Sequence, residues 1–237
     1  MRLRSVSGLT LIELLIAFVV GAAVVAGAIK LFGVSSQGRS DINKINTLNR
    51  DLRSMLDLML RDIRRTGYLG AHPDSDADGK IDAIFKNNPF NEFQINDDAS
   101  CIVYAYNKNS NAPPVENNER FGFKLMIDKS FSPPKKVLKV RRSAPSLPCH
   151  SGSWENMTAP DVEITALTFI LTETLFNITS AINLPAAPIV HSCNPGDQCL
   201  SVRQVDVRLS GYVTDDPAIK QTVAGSVKIR NDYFAVR

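Results

Sequence analysis

Apolar and polar positions divide the chain into three stretches of different period. From Leu9 to Phe32 apolar residues run almost without interruption. As a helix this run of about 24 residues reaches about 36 Å, enough to cross a hydrocarbon core of about 30 Å. Beyond it the period changes. Ile42, Ile45, Leu48, Leu52, Met55, Leu56, Met59 and Ile63 recur at steps of three and four. That spacing predicts an amphipathic helix with one apolar stripe, which needs a sheet or another helix to cover it. Gly67 is a stop signal, and Arg64 and Arg65 in the last turn complement the helix dipole. Gly33 and Gly38 separate the two helical stretches and mark an expected soft point, each costing about 1 kcal/mol against alanine.

After Gly67 the pattern shortens to strands broken by turns. The expected strands are Cys101–Tyr106, Phe121–Ile127, Lys136–Arg142, Glu163–Phe176, Ser201–Val213 and Thr222–Arg230. Val205-Asp206-Val207-Arg208-Leu209 alternates as a half-buried strand should. Proline and asparagine clusters such as NAPPVENN and SFSPPKK separate the runs. The expectation is an α+β fold, one long N-terminal helix packed on an antiparallel sheet. Its boundaries are a transmembrane helix at 9–32, an amphipathic continuation at 33–66 and a β-domain at 67–237, with residues 1–8 ahead of the first.

Composition changes this picture little. Net charge is +3, with Arg2 and Arg4 ahead of the apolar run. The positive-inside rule places that end in the cytoplasm and sends the remainder across the membrane. Four cysteines, Cys101, Cys149, Cys193 and Cys199, form no CxxC pair and have no histidine at zinc spacing. Beyond a membrane segment they suggest disulfides in an oxidising compartment. Cys193 and Cys199 bracket the turn-rich NPGDQ, which pairs them in a short loop and leaves Cys101 for Cys149. Three connectivities remain open on sequence alone.

One residue does not fit a plain anchor. Glu13 lies inside the apolar run, where an unpaired carboxylate costs a few kcal/mol. An ordinary secretory signal, with Ala26-Gly27-Ala28 as its cleavage site, has too long an apolar run and no use for a glutamate. Gly8 followed by Leu9-Thr10-Leu11-Ile12-Glu13-Leu14-Leu15-Ile16 resembles the class III signal of type IV pilins and pseudopilins. That resemblance implies cleavage by the prepilin peptidase between Gly8 and Leu9, and methylation of the new Leu9 amine. It also implies that Glu13 pairs with the terminal amine of a neighbouring subunit, as a membrane carboxylate requires a partner. The family usually has phenylalanine where this chain has Leu9.

LMLRDIRRTGYLGAHP, Leu58 to Pro73, resembles the end of the first helix in PilW-type minor pilins, and SVKIRNDYF resembles the last strand of PilW-like and secretion J-type minor subunits. The resemblance implies a structural subunit that primes or caps a pilus and so supports motility, adhesion or DNA uptake. Its implied partners are other minor pilins, the major pilin, the inner-membrane assembly platform, a pilus tip adhesin, and membrane lipid before assembly. Its implied location is the inner membrane with a periplasmic globular domain, then the pilus. A minor pseudopilin of type II secretion, of the J type, is the alternative.

Two patterns invite chemistry. DSDADGKID places Asp74, Asp76 and Asp78 in alternation, then Gly79, Lys80 and Asp82. This matches the first part of an EF-hand-like calcium loop, with the Lys80 carbonyl completing the shell, although position twelve is Phe85 rather than glutamate. Calcium is the one cofactor expected, and no organic cofactor is. The basic stretch DKSFSPPKKVLKVRRS reads as a solvated strand face rather than a nucleic-acid site, since Phe131 alone interleaves it. A P-loop, an HExxH and a GxSxG are all missing from the sequence, so no enzyme is expected.

Overall fold

A computed structural model describes residues 10–70, 87–109, 114–178 and 193–236, with only the backbone of 235 and 236. The chain forms two compact units, Met1–Asn46 and Thr47–Arg237.

In the first unit the described residues from Leu11 belong to helix α1, which spans Leu11–Ile63. The expected soft point does not interrupt it: Gly33 and Gly38 are helical. A penalty of about 1 kcal/mol per glycine is small against the cooperativity of so long a helix. The apolar side chains of this unit face outward, Leu11 at 79% and Phe32 at 77% exposure. The helix is long and apolar enough to cross a membrane.

The second unit holds two antiparallel sheets rather than the single one expected. The first is ordered β1 (Phe93–Ile95), β2 (Cys101–Ala105), β3 (Arg120–Asp128), β4 (Lys135–Ser143) and β5 (Ser153–Asn156). The second is ordered β6 (Val162–Asn177), β7 (Gln198–Val213) and β8 (Asp216–Lys228), with β9 (Tyr233–Val236) also paired to β7. β1, β5 and β9 lay outside the expected set. Each has three or four residues, too few to display a period of two. The run expected to continue to Arg230 ends at Lys228, because Arg230 and Asn231 bond to the end of α1 instead.

The stripe from Leu48 to Ile63 is buried with Ile102, Phe123 and Leu138 of the first sheet and Val205, Val207 and Leu209 of the second. Gly225 lies on the helix-facing side of β8, where a Cβ would stand 2.6 Å from Leu60 Cδ1. Glycine there lets the helix approach the strand backbone closely. α1 ends at Ile63, three residues before the expected boundary, and a turn carries the chain to Gly67 at φ +77°. Only glycine adopts that backbone without strain.

The basic stretch around β4 is a solvated face only in part: Lys129, Lys136 and Arg142 are exposed, while Lys135 and Arg141 are buried. Lys135 is buried, and its Nζ donates to the carbonyls of Pro160 and Val162. Lys139 pairs with Asp128 at 2.9 Å, and Arg142 with Glu155 at 2.6 Å. Arg141 is 1% exposed and donates to the carbonyls of Leu147 and Ser146. Arg141 continues the alternation of Lys135 and Val137, which places it on the same buried side of β4. Burial, then the nearby Arg120, lower its pKa to about 10, and Glu92 opposes the shift.

Candidate assembly site

Two places carry the site that the sequence points to: the start of α1 and its end. At the start, Thr10 precedes the helix and its Oγ1 accepts the Glu13 N–H at 3.4 Å. Threonine, two apolar residues and a glutamate are the spacing of a capping box. Glu13 thus sits in the first turn, on an exposed helical surface otherwise lined by Leu11, Ile12, Leu14 and Leu15. Gly8 and Leu9 lie outside the described residues, as do Asp74, Asp76, Asp78, Lys80 and Asp82. Among the described residues no three His, Cys, Asp or Glu side chains converge to hold a metal.

At the far end, the stretch Arg61–Gly70 joins α1 to both sheets. Asp62 accepts the Tyr104 hydroxyl at 2.7 Å and the Tyr106 hydroxyl at 2.9 Å. Arg65 stands over the Tyr106 ring, 5.7 Å from its centroid. Burial, reinforced by the Asp62 charge, raises the pKa of Tyr104 well above the usual phenol value. Tyr106 is raised for the same reasons in the same order, with Arg65 opposing. The Gly67 N–H donates to the Ala105 carbonyl, and the Asn107 N–H to that of Tyr68. From the other side Asn231 Nδ2 donates to the Thr66 carbonyl at 3.0 Å, and the Arg230 N–H to the Arg64 carbonyl. The carbonyls of Arg64, Arg65 and Thr66, just past the helix end, are thus satisfied by the segment between β8 and β9. Residues of this stretch have distinct physical roles: Asp62 accepts from two tyrosines, Gly67 makes a left-handed turn, and Leu69 joins the small cluster with Phe90 and Ala105.

Two disulfides fix the loops. Cys101–Cys149 ties β2 to the loop after β4, the same loop whose carbonyls Arg141 holds. Cys193–Cys199 closes the turn that opens β7. Sequence reasoning missed Asp62, Tyr104 and Tyr106 as a unit; the signal available was two tyrosines at a spacing of two on a predicted strand.

A long apolar helix led by a prepilin-type signal and carrying an antiparallel β-domain defines a pilin-like subunit. Residues 3–29 match the prokaryotic N-terminal methylation motif. The chain belongs to the family described as prepilin peptidase-dependent protein B, whose model matches residues 41–229. No curated protein and no solved structure matches it. The chain is therefore a minor pilin or pseudopilin in the broad sense, its family is structural rather than enzymatic, and the prepilin peptidase is its partner.

Proposed function

We propose that the chain is a PilW-like minor pilin of a type IV pilus, which primes or caps assembly together with other minor pilins and the major pilin. In this reading the peptidase cuts between Gly8 and Leu9 and the Leu9 amine is methylated. The N-terminus faces the cytoplasm and the β-domain the periplasm, held at the assembly platform until the subunit enters the pilus. There it supports motility, adhesion or DNA uptake, with a tip adhesin as a further partner. The observation that carries the reading is Glu13, a carboxylate in the first turn of an exposed apolar helix. Such a group needs a counter-charge from another chain. The Asp62–Tyr104–Tyr106 junction supports it by giving the RDIRRTGYLG stretch a role at the helix end.

Mass spectrometry of membrane-extracted protein should find a terminus at methylated Leu9. A terminus at Ile29 would sink the reading. Glu13→Ala should leave processing intact while co-isolation with the other subunits falls about tenfold, as loss of an interaction of about 1.4 kcal/mol requires. Undiminished co-isolation would remove the pairing role.

We further propose that Asp74, Asp76, Asp78, the Lys80 carbonyl and Asp82 bind calcium and order the stretch that follows α1. Extracellular sites of this kind bind at about 0.1–1 mM. A ligand at 100 times its dissociation constant adds about 2.7 kcal/mol to stability. Calcium should therefore raise the melting temperature of the parent and much less that of Asp76→Ala or Asp78→Ala. An unresponsive parent would leave DSDADGKID as an acidic turn.

A further inference from the structure

The outer side of the junction at the end of α1 is lined by cations. Three cavities of about 380, 540 and 310 Å³ share lining residues, the first with the second and the second with the third. Lys228 and Arg230 line the first, with Arg64 between it and the second. Arg61, Arg65 and Lys108 line both the second and the third. Eight cations thus border these adjoining cavities as one trough: Arg61, Arg64 and Arg65 at the end of α1 and just past it, Lys108 after β2, Arg141 and Arg142 of β4, and Lys228 and Arg230 at the end of β8 and just past it. Among its described lining residues the single carboxylate is Asp62, and its oxygens are taken by Tyr104 and Tyr106. Arg61, Arg64, Lys108 and Arg230 form no ion pair with any described residue. Arg141 is engaged by the Leu147 and Ser146 carbonyls and Arg142 by Glu155; four of the other six cations are arginines, whose planar guanidinium meets carboxylates bidentately.

We propose that this trough is a docking surface for a carboxylate-rich face of another protein subunit. Nucleic acid fits it less well. Strands of bases are held by free aromatic faces. One face of Tyr106 is stacked on Phe121 at 4.0 Å, its ring also carries Arg65, and Tyr104 is fully buried. Tyr68 is the one half-exposed ring in the trough wall. Half-exposed Leu58 at one end and Tyr68 beside the arginines give the mixture of arginine, tyrosine and apolar surface that protein interfaces favour. Interfaces of this kind are steered by charge and screened by salt. The proposal rests on the assembly role above and supplies the chemistry of one contact in it.

The test uses the full-length protein in detergent, with fluorescein-labelled decaglutamate as the probe and oligothymidylate of equal length as its competitor class. The parent should bind decaglutamate in low salt and release it as salt rises. Arg61→Gln/Arg64→Gln/Arg230→Gln should bind about tenfold more weakly. Lys129→Gln/Lys136→Gln, outside the trough, should bind like the parent. In cells the triple variant should be processed normally and lose co-isolation with the other subunits. A parent that ignores decaglutamate, or equal binding by parent and triple variant, would overturn the proposal. Oligothymidylate binding about tenfold tighter than decaglutamate would assign the trough to nucleic acid and overturn it too. Undiminished co-isolation of the triple variant would overturn the trough as an assembly surface. The Glu13→Ala result reads the assembly role separately, since decaglutamate binding does not depend on it.

Discussion

Full-length protein carrying Cys149→Ser should unfold in urea with its stability lowered by about 4 kcal/mol, while Cys193→Ser should cost about 2 kcal/mol. The difference follows from the loops the two bonds close. Cys101 and Cys149 are 48 residues apart, Cys193 and Cys199 only 6. Joining distant residues removes more freedom from the unfolded chain, and the effect grows with the logarithm of loop length. Cys149 is the better of the two cysteines to replace, because Cys101 is buried on β2 and its loss would add a packing defect. The chain's one tryptophan, Trp154 on β5, reports the transition locally. It lies under Lys124 at 4.1 Å and near Arg141 at 5.6 Å. Arg141 holds the same loop through the Leu147 and Ser146 carbonyls, so the loop should stay in place in the folded variant and the loss should appear in the unfolding midpoint. Equal effects from the two variants would mean that loop closure does not set their contributions.

What could be read from the sequence follows from length and period. The stripe Leu48–Ile63 spans more than four turns, and all of its apolar positions that turned out buried were named by spacing. β6 and β7 run for sixteen residues each, long enough for alternation to show, and Val205, Val207 and Leu209 of the alternating run are buried. β1 and β9 are held by their partners β2 and β7, and carry no pattern of their own. The split into two sheets is a matter of which strands pair, which local periodicity does not encode. Arg141 reads as an exposed strand residue until the Leu147 and Ser146 carbonyls that receive it are known. Arg203 is similar: alternation on β7 places it inward, between Phe93 and Tyr233 at 5.6 Å from each ring, and only the structure supplies those rings. The cationic trough combines residues from Arg61 to Arg230, and no linear window contains it.

Asp62→Ala should lower stability by about 3 kcal/mol, more than an exposed helix substitution could. The carboxylate is the acceptor for two tyrosine hydroxyls, and hydrogen bonds to a charged group are worth about 1.5–3 kcal/mol each. Removing it leaves the Tyr104 hydroxyl in a fully buried position without its acceptor. Asp62→Asn keeps the shape and one acceptor oxygen, so it should recover part of the loss. The same junction fixes a response to alkali. Both tyrosines are raised above the ordinary phenol pKa of about 10, burial first and the Asp62 charge second. In the unfolded chain they ionise near that value, while in the folded chain they stay protonated. Above pH of about 10 the unfolded state therefore binds fewer protons, and stability falls as pH rises, by up to about 1.4 kcal/mol per pH unit for each tyrosine. Below that pH the contribution is present in full. Urea melts of the parent and of Tyr104→Phe/Tyr106→Phe between neutral and alkaline pH would separate this from the titration of lysines. The double variant should be less stable at neutral pH but show a shallower alkaline decline. Parallel curves would mean that the two phenols ionise alike in both states, and that Asp62 does not hold them.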